Sequence, residues 1–278
     1  MGKNVQVSLI DIMNLSVTDL LQPNTKVIEI PYSMDITREV NQQLHYIKEI
    51  GSILELLNEL IGDELAVFLG LGNSTKVFGK SCYEWFSYIN HSYYIMSHNV
   101  KKENCEYTDT NEALRNVFLP MFLCYDSISY LETLETLDIP LQSIEQLKEQ
   151  LLKLFAIDIY MYQQDRFGNV IIEKEQDNYQ LATIYDFEYA FCNCSIDDPI
   201  LSIPFTDYQI LKESYPTITC YLNKLYQLNP MFILQHIETK YQIRIPSIVK
   251  DYYQKQINIG KEKIIPDKSV VKEKSLRF

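Results

Sequence analysis

Glycine is scarce in this chain. There are 8 in 278 residues, and only Gly2 precedes Gly51, so the stretch before Gly51 holds no glycine pair of the kind that opens a loop of backbone amides around a phosphate. No apolar run approaches the roughly 18 residues that a helical membrane span requires. No apolar leader is read at the start. Met1-Gly2 invites N-myristoylation, but Gln6 stands where Ser or Thr is wanted. Basic residues number 25 against 37 acidic ones, for a net charge of -12, and they form no run except near the end of the chain. A primary nucleic-acid binder, which needs clustered Lys and Arg on phosphates, is therefore not expected. The six cysteines, Cys82, Cys105, Cys124, Cys192, Cys194 and Cys220, lack metal-ligand spacing, and Cys192-Asn193-Cys194 has no second pair. Reduced, mostly buried thiols in a cytoplasmic protein are the expectation.

What is present suits a globular protein. With 46% hydrophobic residues, the chain can bury the core of one large domain or of two lobes. Lys26 to Tyr32 alternates apolar and polar side chains and contains a proline, the pattern of a half-buried strand. Leu54, Leu57, Ile61, Leu65 and Phe68 form one apolar helical stripe, ended by Gly70 and Gly72. The aromatic-rich stretch from Val77 to Val100 predicts two or three strands, with turns near Ser81, Asn90-His91 and Ser97-His98-Asn99. Lys101 to Asn111 is polar and reads as a hinge.

Beyond the hinge the spacing predicts helices over Glu112 to Tyr130 and Ser143 to Met161, the second opened by a Ser143/Gln146 capping box. A hairpin of Val170 to Glu173 and Leu181 to Tyr185 follows, then helices from Tyr208 to about Tyr253 and a charged, frayed end. The 21 tyrosines are expected at the edges of the core, and His45, His91, His98 and His236 fall in no motif. The fold class expected is α+β and bilobal. A small β-rich N-terminal lobe with one main helix (residues 1–100) precedes a larger, mostly helical C-terminal lobe (residues 101–278).

Phosphoryl transfer requires a carboxylate to orient the acceptor hydroxyl, a carboxylate and an amide to hold magnesium, and a cation on the nucleotide phosphates. Asp165 and Asn169 flank Gly168 in one tight stretch after a long apolar helix, so both can project from a single loop. Asp186 closes the hairpin that starts beyond Asn169, and a hairpin brings its ends together, which allows Asn169 and Asp186 to share a metal. Arg166, beside the candidate catalytic carboxylate, suits a role in catalysis or in holding the loop by hydrogen bonds.

Gln164-Asp165-Arg166-Phe167-Gly168-Asn169, followed by Ile184-Tyr185-Asp186-Phe187-Glu188, resembles the HipA-like branch of the protein-kinase-like fold. Phosphatidylinositol-type lipid kinases carry similar motifs. Those families usually show Asp-Arg-His, two further residues and Asn. Here Phe167 replaces the His and the loop is one residue shorter. Asn58-Glu59, with Leu65-Ala66 and Leu69-Gly70-Leu71, resembles the family's helix whose Glu pairs with a phosphate-binding Lys. The resemblance gives Glu59 that role and offers Lys48 of Tyr46-Ile47-Lys48 as its partner. Val40, Leu44, Ile47 and Gly51 also fit a helical stripe, however, and Lys26 lies on a clearer strand. In place of a glycine loop the family uses a Ser-containing one, for which Ser33 and Ser16 are the candidates.

The resemblance, spanning Lys48 to Glu188, implies an ATP- and magnesium-dependent serine/threonine protein kinase. Asp165 and Arg166 would be catalytic, Asn169 and Asp186 would hold Mg2+, and Lys48 with Glu59 would hold the ATP phosphates. It also implies a protein substrate or an antitoxin-like partner. Two alternatives stay open. Aminoglycoside and choline kinases carry the same order of Asp, Gly-Asn-Val and a later Ile-Asp-Phe, but typically with a His-Gly-Asp-x-His that Gln163 to Phe167 lacks. A pseudokinase acting as a binding module fits the missing glycines and the shortened loop.

Overall fold

The computed structural model of the chain describes residues 12, 14–30, 37–40, 43–72, 76–81, 93–98, 104–108, 111–124, 126–163, 166, 169–182, 187, 190–191 and 206–264. In its β-rich part, β1 (Val27–Ile30), β2 (Thr37–Val40), β3 (Gln43–Ile50), β4 (Lys76–Ser81) and β5 (Tyr93–His98) form a sheet of order β1-β4-β5-β3-β2. β1 runs parallel to β4 and the remaining pairs are antiparallel. The helix α1 (Ile53–Phe68) connects β3 to β4.

Strand alternation gives this sheet two faces. Ile50, Ile95 and Phe78 join the main core with α1, whereas Ile47, Tyr94, Met96 and Val77 make a small separate cluster. The side chain of Lys48 is in phase with Ile50, and that of Lys76 with Phe78. The register pairs Lys48 with Ile95, Ile95 with Phe78, and Lys76 with Ser97. Both lysines therefore leave the sheet on the face that α1 covers, from strands on either side of β5.

α1 starts as its residues dictate. Ser52 caps it by accepting the N–H of Glu55, and the helix stops at Gly70, whose φ of 74° is the left-handed conformation that glycine adopts without strain. The helix is buried nearly all round, its polar Asn58, Glu59 and Asp63 included, consistent with its contacts on both sheet and helices.

The helical part comprises α2 (Glu112–Phe118), α3 (Ser127–Leu134), α4 (Leu141–Met161), α5 (Thr206–Ser214), α6 (Ile218–Gln227), α7 (Pro230–Tyr241) and α8 (Ser247–Ile264). A second sheet, β6 (Glu106–Tyr107), β7 (Ile172–Glu175) and β8 (Asn178–Leu181), lies between α4 and α5 in sequence except for its first strand. α4 is its buried spine, with Leu147, Leu151, Leu154 and Ile157 at 6% exposure or less on the stripe that the spacing predicts.

Several expectations are corrected. The helix expected over Glu112 to Tyr130 breaks at Leu119–Leu123, a 3-10 turn around Pro120, and restarts where Asp126 caps Ser129 N–H. Ser143 makes no capping box: α4 begins at Leu141, and the Ser143 hydroxyl bonds the backbone of Asp177 and Tyr179 instead. The hairpin is tighter than expected, turning at Gln176 and Asp177, with Gln176 at φ 58°. Ser97 and His98 lie inside β5 and not in a turn, and the polar hinge contributes β6. Four tyrosines, Tyr160, Tyr208, Tyr252 and Tyr253, are among the largest fully buried side chains and not at the core's edge. Asn90-His91, Ser33, Cys82 and Cys192 to Cys194 lie outside the described residues, and of the described cysteines Cys105 and Cys124 are half-buried and Cys220 is exposed, not buried as expected.

Candidate active site

Lys48 sits on β3, so strand pairing and not helical spacing governs its segment. Its Nζ lies 3.1 Å from Glu59 Oε1. Lys26 precedes β1 and is exposed. Ser16 is exposed and caps a 3-10 turn, where its N–H donates to Asp19.

Glu59, only 2% exposed, is the centre of the cluster. Oε1 accepts from Lys48 Nζ and, at 2.9 Å, from the backbone N–H of Phe187. Oε2 accepts from Lys76 Nζ at 2.9 Å. Burial alone would raise the Glu59 carboxyl, but the two ammonium groups and their hydrogen bonds outweigh it and hold the pKa down to about 2. One turn on, Asp63 is fully buried and its carboxylate oxygens accept no hydrogen bond among the described residues; Lys76 Nζ lies 3.6 Å away. Burial pushes Asp63 up to about 6, against the pull of Lys76. Burial would lower Lys76, yet Asp63 and Glu59 together raise it, so it stays charged.

Lys76 was not anticipated from sequence. Its signal is faint: a lysine at the in-phase position of Lys76-Val77-Phe78, on the core side of a strand whose neighbours are known only once the sheet is built.

Asn58, beside Glu59 and likewise buried, donates its amide to the Ala190 carbonyl and accepts from the Tyr253 hydroxyl at 2.8 Å. Adjacent residues of α1 thus grip the segment after Asp186 at two points, Phe187 and Ala190. Gly62 makes a third contact. A Cβ there would overlap the Phe187 ring, so only glycine lets the ring lie against the helix. The same ring lies under the Arg166 guanidinium, 4.7 Å from its centroid.

Arg166, 8% exposed, is fixed from α4: Nε and Nη2 donate to the Asp158 carboxylate at 2.8 to 3.2 Å. Burial pushes the Asp158 carboxyl up and the guanidinium opposes it. These contacts tie Arg166 to α4 and to Phe187. α4 ends at Tyr162 in the left-handed conformation, φ 55°, with Gln163 N–H on Asp158 O. Asn169 N–H donates to the Arg166 carbonyl at 3.1 Å, closing a tight turn from which the chain enters β7.

The structure therefore brings Lys48 to Glu59, and Glu59 to the residue after Asp186. It places Arg166 and Asn169 at the two ends of one turn. Asp165 and Asp186 themselves lie outside the described residues.

No family model and no curated protein sequence matches the chain. Solved structures do. The proinflammatory kinase CtkA of Helicobacter pylori superposes with a TM-score of 0.51 at 12% identity, over 90% of this chain and 100% of its own. The HipA toxin, from the Shewanella oneidensis MR-1 complex of HipA, HipB and operator DNA, superposes with a TM-score of 0.51 at 12% identity over 78% of this chain; the match spans 58% of the HipA chain. The α+β architecture is a kinase-like fold, the fold that the resemblance around Asp165 and Asp186 leads one to expect. No helix among the described residues is long and apolar enough to cross a membrane.

Proposed function

We propose that the chain is an ATP-dependent phosphotransferase acting on a protein hydroxyl, a HipA-like serine/threonine kinase working in the cytoplasm. In this reading Lys48, oriented by Glu59, binds the ATP phosphates, and Asn169 and Asp186 hold Mg2+, whose charge offsets that on the phosphates in the transition state. Asp165 orients the acceptor hydroxyl and takes its proton. Arg166, gripped by Asp158 and stacked on Phe187, keeps the two motifs in register. The observation that carries the reading is the placement of Glu59, which bonds the strand lysine and the residue after Asp186 with a single oxygen. That arrangement connects the phosphate-binding and metal-binding parts that phosphoryl transfer needs together.

The likeness to HipA, solved in a complex with HipB, supports an antitoxin-like protein partner as part of the same proposal. Incubation with labelled ATP and magnesium, in the presence of a cell extract and separately of a panel of aminoglycosides and choline, tests the substrate class. Label on protein is expected; label confined to small molecules rejects the protein-kinase reading in favour of the aminoglycoside and choline kinase type. A second reading, a pseudokinase that binds nucleotide or a partner without transfer, is favoured by the lack of paired glycines before Gly51. Nucleotide binding with neither transfer nor hydrolysis is its signature.

A further inference from the structure

Lys76 has no part in the scheme above, yet it is the most deeply buried cation of the cluster. Its side chain is 1% exposed, against 18% for Lys48. A phosphate can approach Lys48 but not Lys76. A buried ammonium persists only where anions and acceptors surround it, and here these are Glu59 Oε2 at 2.9 Å, the Glu59 carbonyl at 3.4 Å and Asp63 at 3.6 Å. All belong to one turn of α1. Lys76 therefore clamps both the side chain and the backbone of Glu59 from β4.

We infer that Lys76 is a positioning residue for the phosphate-binding pair: by engaging Oε2 of Glu59 it leaves Oε1 alone to serve Lys48 and Phe187. Without Lys76, Glu59 would be a buried carboxylate with one cationic partner, free to turn both oxygens toward Lys48. Lys48 would then be held harder and yield less readily to a phosphate. Asp63 sets the balance from the other side. Its charge draws on Lys76, and neutralising it would direct more of the Lys76 charge onto Glu59 and loosen the hold on Lys48. The four side chains Lys48, Glu59, Asp63 and Lys76 carry two positive and two negative charges, so changing any one alters how the others divide.

The inference rests on the kinase reading for its purpose but not for its geometry, and the test separates the two. Full-length protein without nucleotide is acylated with trace acetic anhydride at one mildly alkaline pH, and the rate at Lys48 is taken relative to exposed Lys26 by peptide mass spectrometry. Lys76→Met is expected to slow Lys48 labelling several-fold, and Asp63→Asn to quicken it. The second variant retains a folded protein for the assay if the first does not fold. Unchanged or same-direction rates in the folded variants overturn the inference. Mg-ATP affinity forms the second arm: Lys76→Met weakens it several-fold in the wild-type background and adds no further loss to Glu59→Gln. Additive losses would mean that Lys76 does not act through Glu59. Wild-type protein that binds no nucleotide counts against the kinase reading, while the labelling arm still decides the role of Lys76.

Discussion

Glu59 Oε1 accepts the backbone N–H of Phe187 at 2.9 Å, across 128 residues of sequence. The same oxygen also takes Lys48, so α1, β3 and Phe187 meet at a single atom. Displacement of the helix would separate Lys48 from its carboxylate and shift Phe187 together.

Glu59→Gln removes one anion from between two cations, one of them fully buried. Breaking a buried pair by deleting one partner costs about 3–5 kcal/mol, whereas an exposed helical Glu would lie within about 0.5 kcal/mol of neutral. Urea unfolding of the variant is expected to show the larger loss.

Gly62→Ala sets two effects in opposition. Alanine favours a helix interior by roughly 1 kcal/mol, but the new methyl would overlap the ring of Phe187, which is fully buried and cannot swing aside. Overpacking of this kind costs about 1–3 kcal/mol, so net destabilisation is expected in a thermal melt. Adding Phe187→Leu, which makes room, should recover part of it.

Asp63 and Glu59 respond to pH in opposite senses. The Asp63 carboxyl is raised from 3.8 to about 6, so the folded chain keeps a proton that the unfolded chain has released. Its contribution is fully present below 3.8 and is lost as pH rises through about 6, a change of about 3 kcal/mol. The Glu59 carboxyl is lowered from 4.5 to about 2; its contribution is present above 4.5 and is lost as pH falls toward 2. Asp63→Asn is therefore expected to stabilise the protein above about pH 6, with the gain vanishing below about pH 4. Denaturant titrations of both proteins across that range give the difference directly.

Arg166→Lys is not a conservative change. Lysine has neither the planar fork that bonds both Asp158 oxygens nor the flat face that stacks on Phe187. The substitution is expected to cost about 3 kcal/mol or more, as for other broken buried pairs. Asp158→Ala, which takes the carboxylate away from the buried guanidinium altogether, should also destabilise, and the two together should cost less than their sum in equilibrium unfolding.

The long helices were legible because periodicity is local: the stripes of α1 and α4 are in the sequence, and both helices form where the spacing puts them. Boundaries set by single residues were less so. Pro120 splits a pattern that otherwise runs on to Tyr130, and Ser143 forgoes its capping geometry for a bond to the hairpin turn. Lys48 was ambiguous between strand and helix until pairing with β5 decided it. Asn58 and Glu59 were readable as a motif, but not the role of Asn58 as a grip on Ala190 and Tyr253. Lys76 was not readable, since its meeting with Glu59 depends on two strands flanking a third.

In the proposed function the loop from Asp165 to Asn169 and the segment at Asp186 form a working phosphotransfer site. Purified wild-type protein given labelled ATP and magnesium is compared with Asp165→Ala and Asp186→Ala, with nucleotide binding followed in parallel. The expected result is transfer by wild type, loss of transfer with nucleotide binding retained in Asp165→Ala, and loss of magnesium-dependent binding in Asp186→Ala. Wild-type protein that binds ATP but neither transfers nor hydrolyses its phosphate would contradict the claim.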